Sequence, residues 1–301
     1  MTAREAKPFN RHEPWRTSGE GSGWVRIALG QLKATDDKAR NLRILTGLAE
    51  TAAAGGADLV VFPEEAMYSV PSGTRSLAQT AEGLDGPFVS ALQGLAAGLG
   101  VTLIAGMHEK ADEETHRAYN TLVAVDADGG VDSYRKLHLF DALGNRESDQ
   151  VLAGEGARLT IDRDGIRLGI LNCYDIRFPE LARLLVDDGA EVLIVCAAWV
   201  GGRLKEDHWE VLLRARAIEN TCWVAAADQS TDVCLGRSML IDPMGVVRCS
   251  LGEEEQGIVI GEVDRARTAA VREALPSIRN RRFMVNSEVD GGLVSAGEKA
   301  A

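Results

Sequence analysis

Past residue 23 the apolar positions fall into short runs separated by stretches with helical spacing. Residues 24–32 (WVRIALGQL) are rich in branched and aromatic side chains and predict a first strand. Leu42, Leu45 and Ala49 then recur at helical intervals behind Asp36 and Asp37, acids suited to the positive end of a helix dipole, and Gly55-Gly56 ends the element. Residues 58–62 (DLVVF) form a continuous apolar run, the mark of a strand buried on both faces. The order repeats: Pro87 stands where a first helical turn tolerates it. Phe88, Leu92, Leu95, Ala96 and Leu99 follow at helix spacing, then Gly100 and a strand at 101–105.

Residues 120–126 and 131–136 flank the turn-forming Asp128-Gly129-Gly130 and predict a hairpin. Further along, 166–172 (IRLGILN) predicts a strand, 179–188 a helix closed by Gly189, and 191–197 another strand. Asp207 and Glu210 have capping-box spacing at the start of a helix carrying Trp209, Leu212, Leu213 and Ala217, and 222–227 is strand again. Strands at 236–242 and 246–250 flank Asp242-Pro243-Met244-Gly245. The last strand, 257–263, follows Glu253-Glu254-Glu255, read as a solvated hairpin tip. Helices alternating with strands, plus hairpins, predict an α/β fold with mixed sheets and helices outside. No Pro/Ser/Gly-rich linker interrupts residues 24–284, which are read as one domain between a flexible arm (1–23) and a tail (285–301). No repeat of 20 to 50 residues and no sustained heptads occur.

Composition narrows the partners. A net charge of −12 offers no basic footprint for a nucleic acid. No run approaches the ~18 apolar residues of a spanning helix, and the first 22 residues lack the apolar stretch of a secretory signal, so no membrane is expected. The five cysteines, at 173, 196, 222, 234 and 249, are an odd number without CxxC or metal-ligand spacing. They read as reduced thiols of a cytoplasmic protein, with no metal or other cofactor. The five histidines form no HxxxH pair and read as surface or structural.

Three polar residues each stand at the end of a predicted apolar strand, where α/β sheets present side chains to a cleft. Glu64 follows Val61-Phe62-Pro63, Lys136 lies in YRKLHLFD, and Cys173 follows Ile170-Leu171-Asn172 in NCYDIRFPEL. Singly, each has another reading: an exposed strand-end acid, a solvated hairpin charge, a small buried thiol. Together they suit acyl transfer. A thiol of pKa ~8.5 needs a base, which a carboxylate supplies, while an ammonium and the Tyr174 backbone N–H stabilise the oxyanion. The helix from Pro179 places its positive end near Cys173. Arg177 suits a substrate carboxylate, or an ion pair with Asp175 or Glu180. Trp199 suits a pocket wall, or a core or interface position.

These segments in this order, together with KEDHWEVLLRARAIEN and SMLIDPMG, resemble the nitrilase superfamily of carbon–nitrogen hydrolases over about residues 24–283. The resemblance implies a four-layer α-β-β-α sandwich that associates into homodimers or higher homo-oligomers through its helices. It also implies a Glu64, Lys136, Cys173 trio acting on a small-molecule amide. A second glutamate of the family matches Glu147 best, with Glu155 nearby and a solvated loop acid as the other reading. CYDIRFPEL looks like the omega-amidase and deaminated glutathione amidase branch, which implies hydrolysis of a linear carboxamide to acid and ammonia. An N-carbamoyl amine or amino-acid hydrolase, and an inactive binding or scaffold subunit, are the alternatives.

Overall fold

The structure is a computed structural model that describes residues 23–69, 76–111, 115–156 and 158–285. The arm before Gly23 and the tail after Val285 lie outside the described residues.

The first half runs β1 (Trp24–Gln31), α1 (Lys38–Ala54), β2 (Leu59–Val61), a short α2 (Leu77–Thr80), α3 (Pro87–Leu99), β3 (Thr102–Lys110), β4 (Ala118–Val125), β5 (Val131–Arg135) and β6 (Val151–Leu152). The second runs β7 (Thr160–Arg163), β8 (Ile166–Asn172), α4 (Pro179–Asp187), β9 (Val192–Ala197), α5 (Lys205–Asn220), β10 (Trp223–Asp228), β11 (Met239–Ile241) and β12 (Val247–Ser250). β13 (Gly257–Asp264) and α6 (Arg265–Ala274) close the order. One sheet is ordered β13-β1-β2-β3-β4-β5 with β6 on β4, the other β12-β11-β10-β9-β8-β7. β1, β2 and β3 are parallel, as are β8, β9 and β10.

Side-chain alternation builds the layers. Ile27 and Leu29 of β1, with Leu59 and Val61 of β2, meet Leu168, Ile170, Val192 and Ile194 in a core between the two sheets. The intervening Ala28, Val60 and Phe62 face the other way, onto Leu45 and Ala49 of α1 and Phe88 and Leu92 of α3. On the second sheet, Leu171, Leu193 and Val224 face Leu181 and Leu185 of α4 and Trp209 and Leu213 of α5. The result is the four-layer α-β-β-α sandwich. The continuous apolar run in β2 is thus explained: both of its faces are cores.

Most expected elements are present. Asp37 caps α1 through its side chain, Gly100 ends α3 in the left-handed region, and β4 and β5 pair as the expected hairpin. Two expectations are corrected. Asp207 and Glu210 do not cap α5: the helix begins at Lys205, and its cap residue, Leu204, has φ 61° and no side-chain bond. Glu253 to Glu255 are exposed but are no hairpin tip, because β12 and β13 belong to different sheets and the segment crosses between them. The apolar pattern also fails to announce β6, β7 and α6. In α6 the buried positions are Thr268 and Val271 alone, too thin a stripe to stand out as periodic.

Candidate active site

Strand ends bring the polar residues together. Beyond β2, Phe62 still donates to Ile104 at 2.7 Å, and Pro63 then interrupts the ladder and releases Glu64. The turn lies tight against β3, where a Cβ on Gly106 would stand 2.5 Å from the Glu65 nitrogen and 2.7 Å from the Glu64 Cα. Lys136 follows β5, with its backbone N–H bonded to Asn120 of β4 at 2.9 Å. Cys173 follows β8, at the head of a 3₁₀ turn, Cys173–Arg177, that leads into α4. Its φ of 47° lies in the left-handed region, a strained position for a residue with a side chain.

Asp175 joins the cysteine turn to the lysine strand. Its buried carboxylate accepts from Asn172 N–H (3.0 Å), Tyr134 OH (2.7 Å) and His138 N–H (3.1 Å), and lies 2.7 Å from His138 Nδ1. The His138 ring in turn stacks on Phe178. His138 is therefore structural, and Asp175 is engaged away from Arg177.

Glu64, Lys136 and Glu147 form a buried cluster. Lys136 Nζ lies 2.8 Å from Glu64 Oε1 and 2.9 Å from both oxygens of Glu147. Asn120 Nδ2 donates to Glu64 Oε1 at 2.7 Å and to Glu147 Oε1 at 3.1 Å. The backbone N–H of Ala198, after β9, donates to Glu64 Oε2 at 2.8 Å, and Phe140 N–H to Glu147 Oε2 at 2.6 Å. Glu147 thus sits against the lysine, whereas Glu155 is exposed. Burial disfavours the Lys136 ammonium, but the charges of Glu147 and then Glu64 outweigh it and hold its pKa well above the ordinary lysine value. Cys173 is 9% exposed, and both Glu64 and Lys136 act on its sulfur. Burial first, and the Glu64 charge second, push the thiol pKa well up, with Lys136 opposing. Burial and the Glu64 charge both favour the thiol over the thiolate.

An aromatic rim surrounds this cluster. Phe140 meets Tyr174 edge-on with centroids 5.0 Å apart. The Arg177 guanidinium lies 4.8 Å from the Trp199 ring centroid and 5.9 Å from that of Tyr174, with Nη2 3.4 Å from His208 Nδ1. Neither Asp175 nor Glu180 pairs with Arg177. Trp199 is buried on the rim, its Nε1 donating to the Lys205 carbonyl at 2.9 Å.

Residues 26–273 match the carbon–nitrogen hydrolase family. The chain belongs to that family. It is a hydrolase of carbon–nitrogen bonds, and its likeness to individual members is extensive. It is 37% identical over 257 residues to the deaminated glutathione amidase of Escherichia coli O157:H7, covering 85% of this chain and 97% of that protein. The crystal structure of Saccharomyces cerevisiae Nit3, a member of branch 10 of the nitrilase superfamily, superposes with a TM-score of 0.77 at 29% identity, over 89% of this chain and 100% of Nit3. An amidase from Nesterenkonia sp. gives a TM-score of 0.72 at 29% identity, over 87% and 94% of the two chains.

Sequence reasoning misses four residues of this candidate site. Asn120 touches both glutamates and also accepts from Asn172 Nδ2 at 2.9 Å. Gln229 donates to the Glu64 carbonyl at 2.9 Å. Asp228, fully buried at the end of β10, accepts from Trp199 N–H at 2.7 Å. Lys205 stands on the rim with its ammonium 4.4 Å from the Trp199 ring centroid and 4.9 Å from that of Phe140. Asp228 has a legible signal, an acid closing an apolar strand, which is the rule that singles out Glu64.

Proposed function

We propose that this hydrolase cleaves linear, non-peptide carboxamides to a carboxylic acid and ammonia through a thioester on Cys173. The observation that carries the reading is the Lys136 ammonium held between Glu64 and Glu147 beside Cys173. Glu64 takes the thiol proton as sulfur bonds to the amide carbon. Negative charge moves to the carbonyl oxygen, where the Lys136 charge and the Tyr174 N–H act on it. That N–H lies in the first turn of the 3₁₀ segment, where no intrahelical acceptor is available. Collapse breaks the carbon–nitrogen bond, and Glu64 returns the proton to nitrogen, releasing ammonia. Glu64 then takes a proton from water as the oxygen attacks the thioester, and the proton ends on the departing sulfur. Glu147 acts as a positioning residue by fixing the ammonium.

Arg177, free of any acid partner among the described residues, is the candidate to hold a carboxylate on the substrate, against the walls formed by Trp199 and Tyr174. The likeness to amidases named for deaminated glutathione supports a substrate of that general kind. Five free thiols support residence in the cytoplasm. The exposed Val211 and Ile218 on the outer helix α5 support association into a homodimer or larger homo-oligomer.

The test is ammonia release from a panel of omega-amides, carbamoyl compounds and nitriles. Omega-amides are expected to be the best substrates, and Cys173→Ala to lower kcat/KM at least about a thousandfold with the fold intact by circular dichroism. Undiminished turnover by that variant refutes the nucleophile. Carbon dioxide appearing with the ammonia, from carbamoyl compounds alone, replaces the amidase reading with carbamoyl hydrolysis.

A further inference from the structure

Lys205 opens α5 and is 6% exposed, yet no carboxylate of the described residues forms an ion pair with its ammonium. The other well-buried lysine among the described residues, Lys136, has two such partners. Burying a cation without a partner is unfavourable, so a position like this calls for an explanation. Two aromatic rings supply only part of it, with the ammonium facing Trp199 and Phe140. A second cation makes the position less favourable still, because the Arg177 guanidinium lies over the same Trp199 ring. Burial first, and the Arg177 charge next, draw the Lys205 pKa below its ordinary value.

The surroundings hold this pair in place. Trp199 Nε1 is bonded to the Lys205 carbonyl, which ties ring and lysine backbone together. Phe140 is fixed through its N–H on Glu147, and Tyr174, beneath Arg177, directly follows Cys173. Two cations without ion-pair partners among the described residues therefore share the Trp199 ring, next to the turn that carries Cys173. An incoming anion would offset their mutual repulsion and supply an acid in direct contact with both, where Asp228 acts on Lys205 without an ion-pair contact.

We propose that Lys205 and Arg177 together form a seat for a carboxylate at the far end of the substrate, and that Lys205 sets the preference for anionic over neutral amides. The catalytic consequence rests on the amidase reading above, whereas the binding of the anion does not. Lys205→Met keeps the apolar stem and removes the charge, and Lys205→Arg retains the charge.

The experiment has two arms. In the first, kcat/KM is compared for glutaramate, a dicarboxylic acid monoamide, and for pentanamide, a neutral amide of the same chain length. Lys205→Met is expected to lower the glutaramate-to-pentanamide ratio at least about tenfold, carried by KM, and Lys205→Arg to restore most of it. An unchanged ratio overturns the proposal. In the second, calorimetry measures glutarate binding in the Cys173→Ala background. Adding Lys205→Met is expected to weaken binding at least about tenfold. Equal affinity with and without the lysine charge overturns the proposal. If the wild-type protein releases ammonia from neither amide, the amidase reading fails, and the binding arm still decides for or against the seat.

Discussion

Cys173 combines three conditions that only its surroundings sustain: a left-handed backbone, burial, and a neighbouring carboxylate. The backbone position alone costs about 1–3 kcal/mol. Burial and the Glu64 charge both disfavour a resting thiolate, so in the proposed mechanism nucleophilicity arises in the step that delivers the proton to Glu64. Asp228 shows the same environment acting on a different group. Burial raises its pKa well above the usual carboxylate range, and Glu64 adds to the rise against the opposing Trp199 and Gln229 N–H groups and the Lys205 charge. A carboxyl whose folded pKa is raised supports stability fully below its unfolded value of ~3.9, and that support is lost as pH climbs toward the folded value. Asp228→Asn removes this loss. Its melting temperature relative to wild type is expected to rise by at least about 3 °C between about pH 4 and pH 8 in paired thermal scans. A difference that stays constant over that range contradicts a neutral Asp228.

At the scale of elements, β2 and β3 must approach closely for Glu64 to emerge at the right height, and Gly106 permits it. Gly106→Ala is expected to displace the Glu64 turn and lower kcat/KM about a hundredfold, the scale of a ~1 Å misplacement of a reacting group. Near-normal activity in that variant would show that the turn moves freely. The strands that lead to Glu64 and Cys173 were legible because each apolar run ends in a polar residue, a local signal. β5, before Lys136, is largely polar and exposed, and Lys136 was legible from the turn-flanked hairpin and the family motif. Asn120 was not, since it lies inside β4, where nothing local separates a site residue from a satisfied polar one. Lys205 was hidden among the charges of the first turn of α5, and its significance comes from Trp199 and Phe140, neither of them its sequence neighbour. The start of α5 misleads for a related reason: Leu204 takes a left-handed cap position that its side chain does not announce.

Across the whole molecule the site is shared between the two sheets. Glu64 and Lys136 come from the first sheet, and Cys173, Ala198 and Asp228 from the second. The halves are joined at this edge by Asn172 to Asn120, Ala198 to Glu64 and Gln229 to Glu64. The layered architecture was readable from periodicity and family resemblance. The bonds that register one sheet on the other were not, because they link positions 52 to 165 residues apart. That registration brings Glu64 to Cys173, and on it depends the proposed thioester. Partitioning of the acyl group between water and added hydroxylamine tests it most directly. A glutaryl amide and the corresponding ester should give one common ratio of hydroxamate to acid, because both pass through the same acylated Cys173. Ratios that differ with the leaving group, or turnover without any hydroxamate, would contradict a covalent intermediate.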